Sequence, residues 1–110
     1  ECRVYSEILP HTTTAAELAR GGAAGIILSG GPASVYAKGA PKVDRGIYRL
    51  GIPVLGICYG MQLLARDLGG AVEPSGEREF GPGRLSVTRK NPLFAGLPKA
   101  LDVWNSHGDK

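Results

Sequence analysis

The segment Gly51-Ile52-Pro53-Val54-Leu55-Gly56-Ile57-Cys58-Tyr59-Gly60-Met61-Gln62-Leu63-Leu64 constrains this chain more than any other. An apolar run rich in β-branched residues climbs to a cysteine bracketed by glycines, Gly56-x-Cys58-x-Gly60, and an amphipathic helical pattern starts at once. A strand feeding a helix through so tight a turn is the thiol form of a nucleophile elbow, which lifts one side chain to the carboxyl end of a sheet. Glycines are needed where the turn is sharp and other chain passes close by. A helix start also turns unpaired N–H groups and the positive end of its dipole toward the sulfur, which favours thiolate over thiol. Cys58 is therefore a candidate nucleophile. The plainer alternative is a core cysteine closing an apolar strand, a frequent role for this residue type. The bracketing glycines and the helix directly behind them outweigh it.

A second apolar run, Ala24-Gly25-Ile26-Ile27-Leu28, ends in Ser29-Gly30-Gly31-Pro32. In a parallel sheet both strands would end at one edge, so the glycine pair would lie beside Cys58. The backbone N–H groups of Gly31 and Tyr59 could then form an oxyanion hole, which requires donors aimed at a developing negative oxygen. Taken alone, Gly-Gly-Pro is an ordinary turn signal; the elbow is what gives it weight.

The remaining pattern supplies a framework. Arg3 to Leu9 predicts a short strand near a sheet edge. Thr14-x-x-Glu17 has the form of a capping box, opening a helix through Arg20 that Gly21-Gly22 ends. Ala23 to Leu28 and Pro53 to Ile57 predict buried strands apolar on both faces, as parallel sheets demand. Pro32 to Pro41 reads as a loop. Val43, Ile47 and Leu50 stand at helical spacing before Gly51. Met61, Leu64, Ala65 and Leu68 predict the apolar face of the elbow helix, capped by Gly69-Gly70.

Beyond Gly70 the period changes. Leu85 and Val87 alternate with Arg84, Ser86 and Thr88, predicting a half-exposed antiparallel strand. Asn91-Pro92 marks a turn, Leu93 to Ala95 one helical turn, and Leu101 to Trp104 a further strand. Glu77, Arg78 and Glu79 read as a polar surface turn. Alternating strands and helices up to Gly70 predict an α/β fold, a doubly wound and mostly parallel sheet flanked by helices.

Composition narrows the function classes. The chain has 110 residues, 43% of them hydrophobic, with seventeen glycines and a formal charge of +3. That size suits one domain at most. The cations are dispersed rather than gathered in a stripe, which argues against a nucleic-acid partner. Cys2 and Cys58 are too few for a disulfide scaffold. No apolar segment approaches the ~20 residues of a membrane span; a reducing cytoplasm is the setting that fits a free thiol at Cys58.

Three segments together carry a family resemblance: Ser29-Gly30-Gly31-Pro32-Ala33-Ser34-Val35-Tyr36, the elbow through Gln62, and Trp104-Asn105-Ser106-His107-Gly108-Asp109-Lys110. With Gly76-Glu77-Arg78-Glu79-Phe80-Gly81 between them, the whole chain resembles the class I glutamine amidotransferases, within them the GMP synthase branch. Asn105 stands where that pattern has methionine, a departure that leaves the chemistry untouched.

The resemblance implies a flavodoxin-like fold and a glutaminase, with Cys58 as nucleophile and Gly31 and Tyr59 as oxyanion donors. It implies glutamine binding by Gln62, Ser106, His107, Gly108 and Asp109. The family triad is completed by a His-Pro-Glu segment that these residues do not contain. His11 and His107 are the only histidines, and His107 falls in the pocket segment rather than in the position of the base. Residues 1–110 are accordingly expected to be part of a glutaminase domain, cut at both ends and inactive alone. No cofactor or metal is expected in this domain. ATP and Mg2+ are expected in a synthetase domain of the same parent chain, with the parent a homodimer. Two alternatives stay open: a non-catalytic module binding glutamine or a partner domain, and another cysteine-elbow α/β hydrolase of the dienelactone hydrolase type.

Overall fold

The computed structural model describes residues 2–73 and 79–107, the side chains of Glu79 and His107 excepted. Its elements in chain order are α1 (Ala15–Arg20), β1 (Ile26–Leu28), a 3-10 helix (Arg45–Arg49), β2 (Val54–Gly56), α2 (Tyr59–Asp67), β3 (Glu79–Ser86), a second 3-10 helix (Pro92–Phe94) and β4 (Ala100–His107). They fall into two compact units, Glu1–Val72 and Glu73–Lys110. The fold is mixed α/β with two small sheets, β1–β2 and β3–β4.

In the first unit, local chemistry places both short helical elements. Thr14 and Glu17 form the expected capping box, each side chain accepting from the other residue's N–H. The chain leaves α1 through Gly22 at φ +66, a conformation glycine adopts at little cost. Asp44 joins the two elements, because its carboxylate accepts from Ala15 N–H at 2.9 Å and from Gly46 N–H at 2.8 Å. Those two N–H groups, Ala15 first, hold the Asp44 carboxyl below the usual aspartate range. The helix expected around Ile47 is present as a 3-10 helix, with Ile47 almost fully buried. Gly46 lies so close to Ala15 that a Cβ there would be 3.0 Å from the alanine methyl. Tyr48 reaches from this element to α2, donating to Asp67 at 3.0 Å. Burial, followed by that hydrogen bond, pushes the phenol up to about 12.

β1 and β2 pair in parallel, with Ile26 opposite Val54 and Leu28 opposite Gly56. The ladder continues beyond both ends, from Ile26 N–H to the Pro53 carbonyl and from Ile57 N–H to that of Leu28, each 2.9 Å. The two expected strands are thus neighbours and end at the same edge, but they are not buried on both faces as expected: no residue of β1 or β2 is fully buried, and Ile27 is 65% exposed.

Two further expectations about this unit are corrected. Arg3 to Leu9 forms no strand; it is exposed coil, with Val4 75% and Ile8 100% accessible. A strand exists only when a neighbour satisfies its backbone, and no described strand lies against it. The second correction concerns α2. Met61 and Leu68, assigned to the apolar face, are exposed, while Tyr59, Gly60, Gln62 and Leu63 are buried. The true core stripe, Tyr59 and Leu63, meets Val35 and Ala40 of the 32–41 loop, with Ala33, Val43 and Val72 packed against it.

The second unit is an antiparallel ribbon in continuous register from Glu79 opposite His107 to Ser86 opposite Ala100. Arg84 and Asp102 face each other at 3.5 Å, but both are largely exposed, so the pair adds little. Pro82 is tolerated in β3 because both strands of a two-stranded ribbon are edges. Asn91 caps the second 3-10 helix by accepting from Leu93 N–H at 2.9 Å, with Pro92 following it. Among the described residues no helix is long and apolar enough to cross a membrane.

Candidate active site

Strand β2 enters the elbow through Gly56 and α2 leaves it at Tyr59, with Cys58 at the apex. The backbone of Cys58 has φ 53° and ψ −116°. A non-glycine residue in so sparsely populated a region stores on the order of 1–3 kcal/mol of strain, held by the surrounding structure. Both glycines are obligatory for reasons of space. A Cβ on Gly56 would lie 2.6 Å from the Met61 Cα, and one on Gly60 would lie 2.0 Å from the Leu28 carbonyl oxygen. The elbow is therefore pressed directly onto the end of β1. Gly60 N–H donates to the carbonyls of Ser29 (3.1 Å) and Ile57 (3.0 Å), which ties the Ser29-Gly30-Gly31 turn to the same apex.

Cys58 is exposed, so a core cysteine does not describe it. Its strain yields a measurable expectation. Cys58→Gly should be more stable than Cys58→Ala by about 1 kcal/mol, since glycine adopts positive φ without strain. Equal denaturation midpoints for the two variants would show that the turn carries no strain.

The Gly30-Gly31 turn does sit beside the thiol. A Cβ on Gly30 would be 3.2 Å from the Cys58 Cβ and 3.8 Å from its Sγ. Among the described residues, neither Gly31 N–H nor Tyr59 N–H has an acceptor. Cys58, Gly30 and Tyr59 thus share one corner of the first unit, where two parallel strands end and a helix begins, and Gly31 follows Gly30 in the chain.

Gln62 stands one turn into α2, its N–H donating to the Cys58 carbonyl at 3.1 Å. The residue is buried, 9% exposed, and does not face solvent. The amide has no partner among the described residues. The Tyr59 ring is also buried and its hydroxyl donates to the Pro41 carbonyl. Arg66, which no sequence motif singles out, donates to the Val35 carbonyl. The helical spacing of Tyr59, Leu63 and Arg66 is the signal that could have found both.

Ser106 and His107 belong to the second unit. They lie within β4 rather than after it, opposite Phe80 and Glu79. Gly108 and Asp109 lie outside the described residues, as do Glu77 and Arg78; Glu79 opens β3 instead of closing a turn. His11 is exposed, with Nδ1 3.0 Å from the Lys42 carbonyl oxygen.

A strained cysteine elbow at the end of a parallel strand pair, with a glycine turn beside the thiol, is shared by several cysteine hydrolases, and comparison with known proteins selects among them. The family model described as glutamine amidotransferase class-I matches residues 1–110, and the chain belongs to that family. It is 57% identical over 111 residues to the glutamine-hydrolysing GMP synthase of Latilactobacillus sakei subsp. sakei, covering 100% of this chain and 22% of that protein. The corresponding enzyme of Aquifex aeolicus is 51% identical over 110 residues, again with 100% and 22% covered. The chain therefore spans about a fifth of the length of the curated relatives it matches. A crystal structure of a Thermoplasma acidophilum protein, provisionally identified as one component of a GMP synthase, superposes with a TM-score of 0.65 at 33% identity, covering 94% of this chain and 52% of that one.

Proposed function

We propose that this chain is the glutamine-hydrolysing part of a GMP synthase. The observation that carries the proposal is the exposed, strained Cys58 at the apex of the elbow with Gly30 against it. The Cys58 thiolate attacks the side-chain carboxamide carbon of glutamine, and the tetrahedral oxyanion settles between the N–H groups of Gly31 and Tyr59. Collapse of that intermediate breaks the C–N bond. The departing nitrogen takes a proton from a general acid and leaves as ammonia. Water then hydrolyses the γ-glutamyl thioester, releasing glutamate and restoring the thiol.

Gln62 is proposed to hold the substrate glutamine from α2; its buried, unpartnered amide supports that role. Roles for Ser106, His107, Gly108 and Asp109 in binding glutamine rest on the family resemblance of their segment. The same resemblance supports the larger frame: a doubly wound, mostly parallel sheet, a His-Pro-Glu segment supplying the base, and a homodimeric parent. In that parent a synthetase domain would use the ammonia, with ATP and Mg2+, to aminate XMP to GMP. Among the described residues here, no three His, Cys, Asp or Glu side chains are gathered as metal ligands would be.

The test is ammonia release from glutamine by a longer polypeptide that joins these residues to a His-Pro-Glu segment. Cys58→Ala is expected to lower turnover by at least about 10⁴-fold, as loss of a nucleophile does in comparable triads. A chloroketone analogue of glutamine should alkylate Cys58, with glutamine protecting it, as read by peptide mass spectrometry. Unchanged turnover in Cys58→Ala would refute the mechanism.

A further inference from the structure

The 32–41 loop follows directly on Gly30-Gly31, and α2 grips it at two points. The Tyr59 hydroxyl donates to the Pro41 carbonyl and the Arg66 guanidinium to the Val35 carbonyl. Between those points lies the core of the first unit, where Val35 and Ala40 meet Tyr59 and Leu63. Tyr59, Leu63 and Arg66 are spaced i, i+4 and i+7, so one helix face holds the loop along its length. Within the loop, successive turns link Ala37 N–H to the Ser34 carbonyl (3.0 Å) and Ala40 N–H to that of Ala37 (3.1 Å). A pull on either gripped carbonyl is therefore carried along the loop.

The glycine turn has no side chain with which to anchor itself. Gly31 is exposed, and no atom lies within 4 Å of the position a Cβ would take. Its near side is held by Gly60 N–H on the Ser29 carbonyl. Among the described residues, its far side is held through the loop that follows.

We propose that the Tyr59 hydroxyl and the Arg66 guanidinium are positioning groups for the oxyanion site. Through the Pro41 and Val35 carbonyls they keep the 32–41 loop, and with it Gly31 N–H, aligned with the Cys58 thiol. This rests on the assignment of Gly31 as an oxyanion donor. Such donors act because they are held in place before charge develops. One helix then sets both halves of the site, the nucleophile through its N-terminus and the donor loop through its flank. Tyr59 serves twice, by its backbone N–H and by its ring.

The experiment is steady-state glutamine hydrolysis by a longer polypeptide that joins these residues to a His-Pro-Glu segment, with melting temperature measured beside it. Tyr59→Phe removes the hydroxyl and keeps the ring. Arg66→Met removes the donor and keeps most of the stem, and Arg66→Lys returns a donor. For Tyr59→Phe and Arg66→Met, kcat is expected to fall roughly tenfold to a hundredfold, the scale of small misplacements in an active site. KM should stay within about twofold, since the loop acts on the developing oxyanion. Arg66→Lys should recover part of the loss. Tyr48→Phe is the control: it removes a hydrogen bond to α2 at Asp67 that does not reach the loop, so it should lower the melting temperature and leave kcat unchanged. If Tyr59→Phe and Arg66→Met behave like Tyr48→Phe, the positioning role is overturned while the glutaminase assignment stands. If Cys58→Ala leaves hydrolysis intact, the glutaminase assignment falls and the positioning role with it. Should Tyr59→Phe fail to fold, the two Arg66 variants decide by the same readouts.

Discussion

Gly60→Ala is expected to abolish the cooperative unfolding transition of this chain or to destabilise it by more than about 3 kcal/mol, the upper range for single substitutions. The added methyl would lie 2.0 Å from the Leu28 carbonyl oxygen and 2.5 Å from its carbon. Both are backbone atoms of β1, so no side-chain rotation can relieve the overlap. The strand and helix must separate instead, which would also break the bonds from Gly60 N–H to Ser29 and from Ile57 N–H to Leu28. Urea denaturation followed by circular dichroism measures the effect. A midpoint within the error of the unsubstituted chain would mean that α2 can shift off β1 freely, and that the elbow is not a rigid joint. Gly31→Ala is the internal contrast, because open space surrounds that position.

The second large effect concerns turnover. The 110-residue polypeptide, assayed alone, is expected to hydrolyse glutamine on the order of 10⁶-fold more slowly than a longer polypeptide that supplies a His-Pro-Glu segment, the loss seen when a triad base is removed. A thiol without a base has no group to take up and return the proton that ammonia carries away. His11 lies in exposed chain against the Lys42 carbonyl, and His107 occupies a strand position opposite Glu79. Neither falls in the segment that supplies the family base. Ammonia release at comparable rates by the two polypeptides, abolished in His107→Ala, would make His107 the base and overturn the expectation.

Much of the local structure was legible because it is decided over a few residues. Thr14 and Glu17 satisfy each other's backbone within one turn, Asn91-Pro92 starts its own 3-10 helix, and Gly22 and Gly69 end helical segments at positive φ. The elbow belongs with these, since Gly56, Cys58 and Gly60 announce a close approach whatever approaches them. The ribbon β3–β4 was visible in its alternation, but β3 starts five residues before Arg84 and ends at Ser86, short of Val87 and Thr88, while β4 extends past Leu101 to Trp104 at both ends.

The expectations that failed depended on neighbours distant in sequence. Arg3 to Leu9 has the composition of a strand, yet without an adjacent strand its backbone stays in water. Met61 and Leu68 follow a helical period as faithfully as Tyr59 and Leu63 do. Periodicity gives a stripe but not the angle at which the helix is docked. That angle comes from the contact of Gly60 with Leu28, which turns Tyr59, Leu63 and Arg66 toward the 32–41 loop and leaves Met61 outside. By itself, then, the sequence determined the tight strand-to-helix elbow around Cys58 and the glycine turn after Ser29, because such turns are decided by the residues that form them. The tertiary structure alone decided which face of α2 is buried, and that its tyrosine and arginine grip the loop beside the thiol, because both depend on backbone carbonyls some twenty to thirty residues away.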